Sequence, residues 1–265
     1  MRIINAQIKC MQAIVVEALS KSYANPVLKN ISFTVEAGEI IGYIGPNGAG
    51  KSTTIKILTG LINEFEGKAS VLGLDVRTEA LEVKRRIGYI PENAALYDTL
   101  TPLEYLEFVG NLYSLDKTSL NKKSKELLNV FGLSNHKEDR MTTFSKGMRQ
   151  KVLLIAGMLH NPSILFLDEP LSGLDANAVI LVKEILSQLK QAGKTIFYSS
   201  HIMDVVEKIS DRIMIINKGE LIANGPFTEL NSQAHSGSLE QLFTELTGNK
   251  EHESAAGQFI DIIKQ

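Results

Sequence analysis

The stretch GPNGAGKS at residues 45–52 constrains the fold of this chain more than any other part of it. Gly45, then Pro46, Asn47, Gly48 and Ala49, then Gly50, Lys51 and Ser52, is the spacing of a loop whose backbone N–H groups wrap a β-phosphate. In such a loop the lysine reaches the β and γ oxygens and the hydroxyl is placed to ligate magnesium. Composition alone yields the pattern in about one chain in a hundred of this length, so a plain Gly-rich turn is the alternative. Its neighbours argue for the phosphate reading. The continuously apolar EIIGYI at 39–44 predicts a buried strand just before the loop, and a helix follows that ends near Gly60. Strand, loop, helix is the opening of a parallel α/β unit.

The rest of the chain fits such a unit. AIVVEAL at 13–19 and the alternation Ile31, Phe33, Val35 predict β strands ahead of the loop. From about 95 to 160 the pattern turns helical, with Thr101 as N-cap, Pro102 at the first helical position and Glu104 closing a capping box. Strand signals return in SILFLDEP at 163–170 and KTIFYSS at 194–200, with a helix at about 176–192 between them. A hairpin, IMIINKGELIANG, closes the sheet region, and residues 231–265 read as a polar, helix-prone tail.

Two further elements carry chemistry. SILFLDEP reads as a buried parallel strand whose carboxylates emerge at its C-terminal end, where open α/β sheets bind ligands. Asp168 is placed to hold magnesium through water, and Glu169 to orient or deprotonate an attacking water. His201 follows the next strand at the corresponding edge. A lone histidine there is more often structural, but convergence of a third strand end on one rim lets its N–H bond a γ-phosphate. TTFSKGMRQK at 142–151 poses a different question, since a helix start with Ser145, Gly147 and nearby cations is a second anion site.

Bulk properties narrow the field. Lys plus Arg number 28 against 30 Asp plus Glu, a formal charge of -2, so no global basic field recruits nucleic acid or anionic lipid. The single cysteine, Cys10, excludes an internal disulfide framework. The longest apolar runs, such as VLLIAGML at 152–159, fall short of the roughly 20 residues a membrane span needs. Met11 directly precedes the first convincing strand, so residues 1–11 read as an N-terminal extension without the apolar core of a secretory signal.

Taken together these motifs resemble the ATP-binding subunits of ABC transporters, over about residues 13–247. GPNGAGKST, with Thr53 as its last member, is similar to the Walker A loop, and ILFLDEP to the Walker B strand. SGLD at 172–175, ending in Asp175, resembles the D-loop, His201 the switch histidine, and Tyr23 the aromatic that stacks on adenine. The fold implied is α/β: a P-loop NTPase with a RecA-like core, an antiparallel β subdomain and an inserted all-helical subdomain. The implied ATP-binding domain is 12–248, its core about 12–92 and 162–230 and its helical part about 93–161, with 249–265 as a C-terminal tail.

The resemblance also assigns the second anion site. FSKGMRQ is similar to the ABC signature loop, where the family places Ser145 and Gly147 on the γ-phosphate held by the other subunit. ATP and magnesium are the implied cofactors, with Ser52, Asp168 and Glu92 as metal-side residues and Glu169, His201 and Lys51 as catalytic ones. The implied partners are a second ATP-binding subunit, identical or not, and an integral membrane permease, with the chain on the cytoplasmic face of the membrane. Two departures point to the ABC-2 type branch, commonly exporters. The signature reads Phe144-Ser145-Lys146-Gly147-Met148 where many members have Leu-Ser-Gly-Gly-Gln, and Glu92 stands where a glutamine is usual. The rival expectations are a soluble ABC ATPase of DNA repair or translation and a nucleotide-binding regulator without catalysis.

Overall fold

The computed structural model describes residues 12–92, 96–234, 237–248 and 262–263. The extension at 1–11 with Cys10, and the tail beyond 248 apart from 262–263, lie outside the described residues. The chain opens with two antiparallel strands, β1 (Gln12–Ser22) and β2 (Pro26–Glu36). The apolar strand ahead of the Gly-rich loop is β3 (Ile40–Ile44), buried along its length, and the helix after the loop is α1 (Lys51–Leu58). Next come β4 (Glu66–Val71), β5 (Leu74–Asp75), α2 (Ala80–Arg86) and β6 (Ile87–Ile90).

The helical stretch holds α3 (Pro102–Leu112), α4 (Lys117–Val130) and α5 (Lys146–Met158). The capping box foreseen at Thr101 is complete. Its Oγ1 accepts the Glu104 N–H at 3.2 Å, and Glu104 Oε2 accepts the Thr101 N–H at 2.8 Å. The chain then alternates again through β7 (Ile164–Asp168), α6 (Ala176–Gln191), β8 (Thr195–Ser199), α7 (Met203–Ile209), β9 (Arg212–Asn217) and β10 (Glu220–Gly225). It continues into α8 (Phe227–Ala234) and α9 (Leu239–Thr247), whose Leu239 and Leu242 are buried.

These strands form two sheets. The antiparallel one has the order β2-β1-β4-β5, and the larger one β10-β9-β3-β8-β7-β6. In the larger sheet every neighbouring pair from β9 to β6 is parallel, and only the β9–β10 hairpin runs antiparallel. The C-terminal ends of β3, β8, β7 and β6 therefore share one rim, and each feeds a loop that carries a candidate site residue.

Side chains alternate across the parallel strands of this sheet, as a two-residue period requires. On one face Ile40, Ile44, Leu165, Leu167, Ile196, Tyr198, Ile213 and Ile215 pack with residues of α3, α4, α5 and α6. On the other, Ile41, Tyr43, Ile164, Phe166, Phe197, Met214 and Ile216 pack with α1 and the antiparallel sheet. Phe197 anchors that second layer. Its ring centroid lies 6.0 Å from Phe33 of β2, 5.1 Å from Tyr43 and 5.9 Å from Phe166. Truncating so fully buried an aromatic costs about 3–5 kcal/mol, and here it would loosen the contact between the sheets.

Candidate functional site

The Gly-rich loop is braced from behind. Gly219, in the two-residue turn between β9 and β10, donates its N–H to Ala49 O at 3.1 Å and accepts the Lys29 N–H at 2.9 Å. Gly50 is the N-cap of α1 at φ 113°, a conformation open to glycine and strained for other residues. It has no side chain with which to cap. Helices α3, α4, α5, α6 and α9 each have a capping side chain, whereas the first N–H groups of α1 have none and stay available to an anion.

Lys51 is 8% exposed, and its Nζ donates to Gly45 O at 2.7 Å and Pro46 O at 3.2 Å. Burial pulls its pKa below the ordinary lysine value, while the carboxylates of Glu169, Asp168 and Glu92 oppose that shift. Behind it Thr54 Oγ1 bonds both Gly50 O, at 3.0 Å, and Tyr43 OH, at 3.1 Å, which fixes the first turn of α1 to β3.

The two carboxylates at the end of β7 have different surroundings. Asp168 is 2% exposed, and its Oδ1 accepts a 2.6 Å bond from Ser199 Oγ on β8. Glu169 turns the chain at φ 51°, a left-handed backbone that costs a non-glycine residue about 1–3 kcal/mol and that gathers at functional sites. Its N–H is shared between Ser199 O and Ser199 Oγ, both at 3.2 Å. Glu169 Oε2 accepts the His201 N–H at 3.3 Å. Its Oε1 lies 3.0 Å from His201 Nε2, but poor alignment leaves that buried oxygen without a hydrogen bond among the described residues. Burial raises the Glu169 pKa above the ordinary carboxyl value, with His201 and Lys51 pulling the other way and Asp168 adding to the rise.

These groups face one cavity of about 300 Å³. Asn47, Gly48, Gly50, Lys51, Ser52, Thr53, Glu92, Asp168, Glu169 and His201 line it, together with Val27. Gly45 and Pro46 take part through the carbonyls that hold Lys51, and Pro46 and Ala49 line a neighbouring hollow with Asn217, Lys218, Thr247 and Gly248. Tyr23 is not among the lining residues; it is 59% exposed, with Lys21 Nζ 4.9 Å from its ring centroid. Ser199 and Val27 escaped the sequence reading. A serine pair closing an apolar strand beside two carboxylates was the available signal for Ser199.

Ser145, Gly147 and Asp175 also lie outside this lining. Ser145 caps α5, its Oγ accepting the Met148 N–H at 3.2 Å, which leaves its hydroxyl proton free to donate outward. Asp175 caps α6 by accepting the Ala178 N–H at 2.9 Å, and that bond, helped by Lys151, lowers its pKa. Arg149 reaches back to Met141 O at 3.2 Å and Thr142 O at 3.3 Å and so steadies the segment leading into Ser145.

Known proteins are similar to this chain over most of its length. A family model described as ABC transporter matches residues 28–172. The linearmycin resistance ATP-binding protein LnrL of Bacillus subtilis is 39% identical over 227 residues, which cover 85% of this chain and 73% of that protein. An uncharacterized ABC transporter ATP-binding protein of Synechocystis sp. is 41% identical over 205 residues. That match takes in 77% of this chain but 57% of the relative, so the chain spans less than two thirds of its length. A solved structure described as the ATP binding subunit of an ABC transporter superposes with a TM-score of 0.83 at 34% identity, over 89% of this chain and 99% of the other.

Proposed function

The chain belongs to the ABC transporter family, and from that membership we propose that it is the ATP-hydrolysing motor subunit of a transporter. The observation that carries this reading is the single cavity onto which the Gly-rich loop, Lys51, Ser52, Asp168, Glu169 and His201 converge. The uncapped start of α1 and the loop N–H groups receive the phosphates, and Lys51 exchanges its loop carbonyls for their oxygens. Glu169 orients and deprotonates the attacking water, and His201, paired to that carboxylate, senses the terminal phosphate. Tyr23 takes the adenine ring from its exposed position beside Lys21.

The donor set suits magnesium. Ser52 and Asp168 line the cavity with Glu92, and among the described residues no group of three or more His, Cys, Asp or Glu forms a metal cage of its own. One hydroxyl and one or two carboxylates, completed by phosphate oxygens, is how this ion is commonly held. When bound it neutralises phosphate charge.

Ser145, Gly147 and Asp175 stand apart from the chain's own cavity, which supports their serving the nucleotide of a second ATP-binding subunit. Closure of the pair then follows from phosphate contacts made only in the closed state. The transport path is assigned to a separate membrane permease, as family membership implies; no described helix is long and apolar enough to cross a bilayer. The motor sits against that permease on the cytoplasmic face. Residues 12–248 are assigned to the ATP-binding domain, with about 93–161 as its helical part. Similarity to a resistance protein supports an export direction and the ABC-2 type branch.

The test is purification in mild detergent with whatever membrane protein accompanies the chain, followed by a magnesium-dependent ATPase assay. A hydrophobic partner and ATPase activity support the motor. Stimulation by nucleic acid instead would favour the soluble ATPase, and absence of any hydrolysis with the partner present would favour the regulator.

A further inference from the structure

Helix α5 turns four residues toward one short segment. Lys146, Gly147, Gln150 and Lys151 stand at i, i+1, i+4 and i+5, one face of the helix, and each meets residues 170–175. Lys146 Nζ donates to Ser172 Oγ at 2.8 Å. A Cβ placed on Gly173 would come within 2.9 Å of Lys146 Cγ and Cδ, so the lysine stem lies across that glycine. A Cβ on Gly147 would sit 2.5 Å from Gly173 O, so the two backbones touch with no room for a side chain. Gln150 Nε2 donates to Pro170 O at 3.0 Å, and Lys151 Nζ lies 3.3 Å from Asp175 Oδ2.

We infer that Lys146 is a positioning residue that locks the 172–175 segment to the start of α5, so that Ser145, Gly147 and Asp175 reach a partner's nucleotide as one unit. The inference rests on the two-subunit reading above. Its physical content is a bond between the first residue of α5 and the turn that leads into α6. Without it the side-chain hydrogen bonds that remain between α5 and this segment, among the described residues, are on its flanks, Gln150 to Pro170 and Lys151 to Asp175. A lysine supplies both halves of the lock, an aliphatic stem that fills the space over Gly173 and an ammonium that reaches the hydroxyl. Glycine at this position would supply neither.

The test compares Lys146→Met, which keeps the stem and loses the donor, with Lys146→Arg, Ser172→Ala and the Met/Ala double variant. With Lys146→Met, kcat should fall about three- to tenfold, the size expected of one solvent-exposed hydrogen bond. KM, and ATP binding by the isolated chain, should move by less than about twofold because the P-loop cavity is not touched. Lys146→Arg should recover most of the loss, and the double variant should be no slower than either single, since both remove the same bond. Amide exchange at 171–175 should quicken in Lys146→Met while exchange at 45–53 stays as in the parent protein. An unchanged kcat, or losses that add in the double variant, would overturn the proposal. Association of the Glu169→Gln protein in magnesium-ATP, with itself or a co-expressed second subunit, reports on the underlying reading separately. If no association occurs while exchange at 171–175 still quickens, the lock is present but the two-subunit role fails.

Discussion

Ser199 Oγ stands 2.6 Å from Asp168 Oδ1 and 3.2 Å from the Glu169 backbone nitrogen, so one buried hydroxyl on β8 donates to the last carboxylate of β7 and accepts from the backbone of the residue after it. Ser199→Ala removes the donor while the buried Asp168 charge remains. The cost expected is about 1–3 kcal/mol of folding stability, read by urea denaturation. The same change should raise the magnesium concentration that gives half-maximal ATPase activity, and Ser199→Thr should restore it. An alanine variant with the parent magnesium dependence would mean that Ser199 merely packs.

Glu169→Gln keeps the size of the side chain and removes its basicity. Turnover should drop at least about a hundredfold, the low end of what a general base contributes, while binding of a fluorescent ATP analogue persists. Light scattering in magnesium-ATP should then show a trapped dimer. A glutamine variant that turns over at the parent rate would remove Glu169 from the mechanism.

The acid side of the pH profile tests the same group by another route. Burial holds the Glu169 carboxyl above the ordinary range, so its basic form is lost on acidification at a higher pH than for a free glutamate near about 4.3. The sign is fixed: kcat/KM should fall as pH drops through that raised value. Glu169→Gln should lack this limb in its residual activity. A limb that survives the substitution belongs to another group.

Ser145→Arg and Gly147→Asp probe the signature loop. Neither residue lines the chain's own cavity, so nucleotide binding by the isolated chain should change less than about twofold, as for a site without direct contact. Hydrolysis should fall steeply. Gly147→Asp carries an added penalty, because its Cβ would press on Gly173 O. Loss of nucleotide binding by the isolated chain in Ser145→Arg would refute the placement.

Much of this is legible in the sequence alone. The loop at 45–52 announced itself because its chemistry is local, with the strand before it and the helix after it equally plain. Thr101, Pro102 and Glu104 predicted a capping box whose two bonds are both present, since capping is decided within four residues. The stretch from β4 to β6 carries no comparably local signal. Its strands are short, and EGKASV exposes its first three residues, so neither alternation nor an apolar run marks it. The Lys146–Ser172 and Ser199–Asp168 bonds join residues 26 and 31 positions apart. Pairings of that kind are set by sheet order and helix docking, which no local pattern encodes.

The alternation of side chains across the larger sheet divides the interior into two compartments that share no buried residue. Phe197 and Tyr198 are neighbours in the chain, yet they belong to different compartments. Substitutions well separated on opposite faces, such as Phe33→Leu and Leu186→Ala, should therefore combine additively to within about half a kcal/mol. Sequence drift in the helical layer is thus free to proceed without compensation in the β layer, and it is at the rim carrying the phosphate loop that both layers must stay in step.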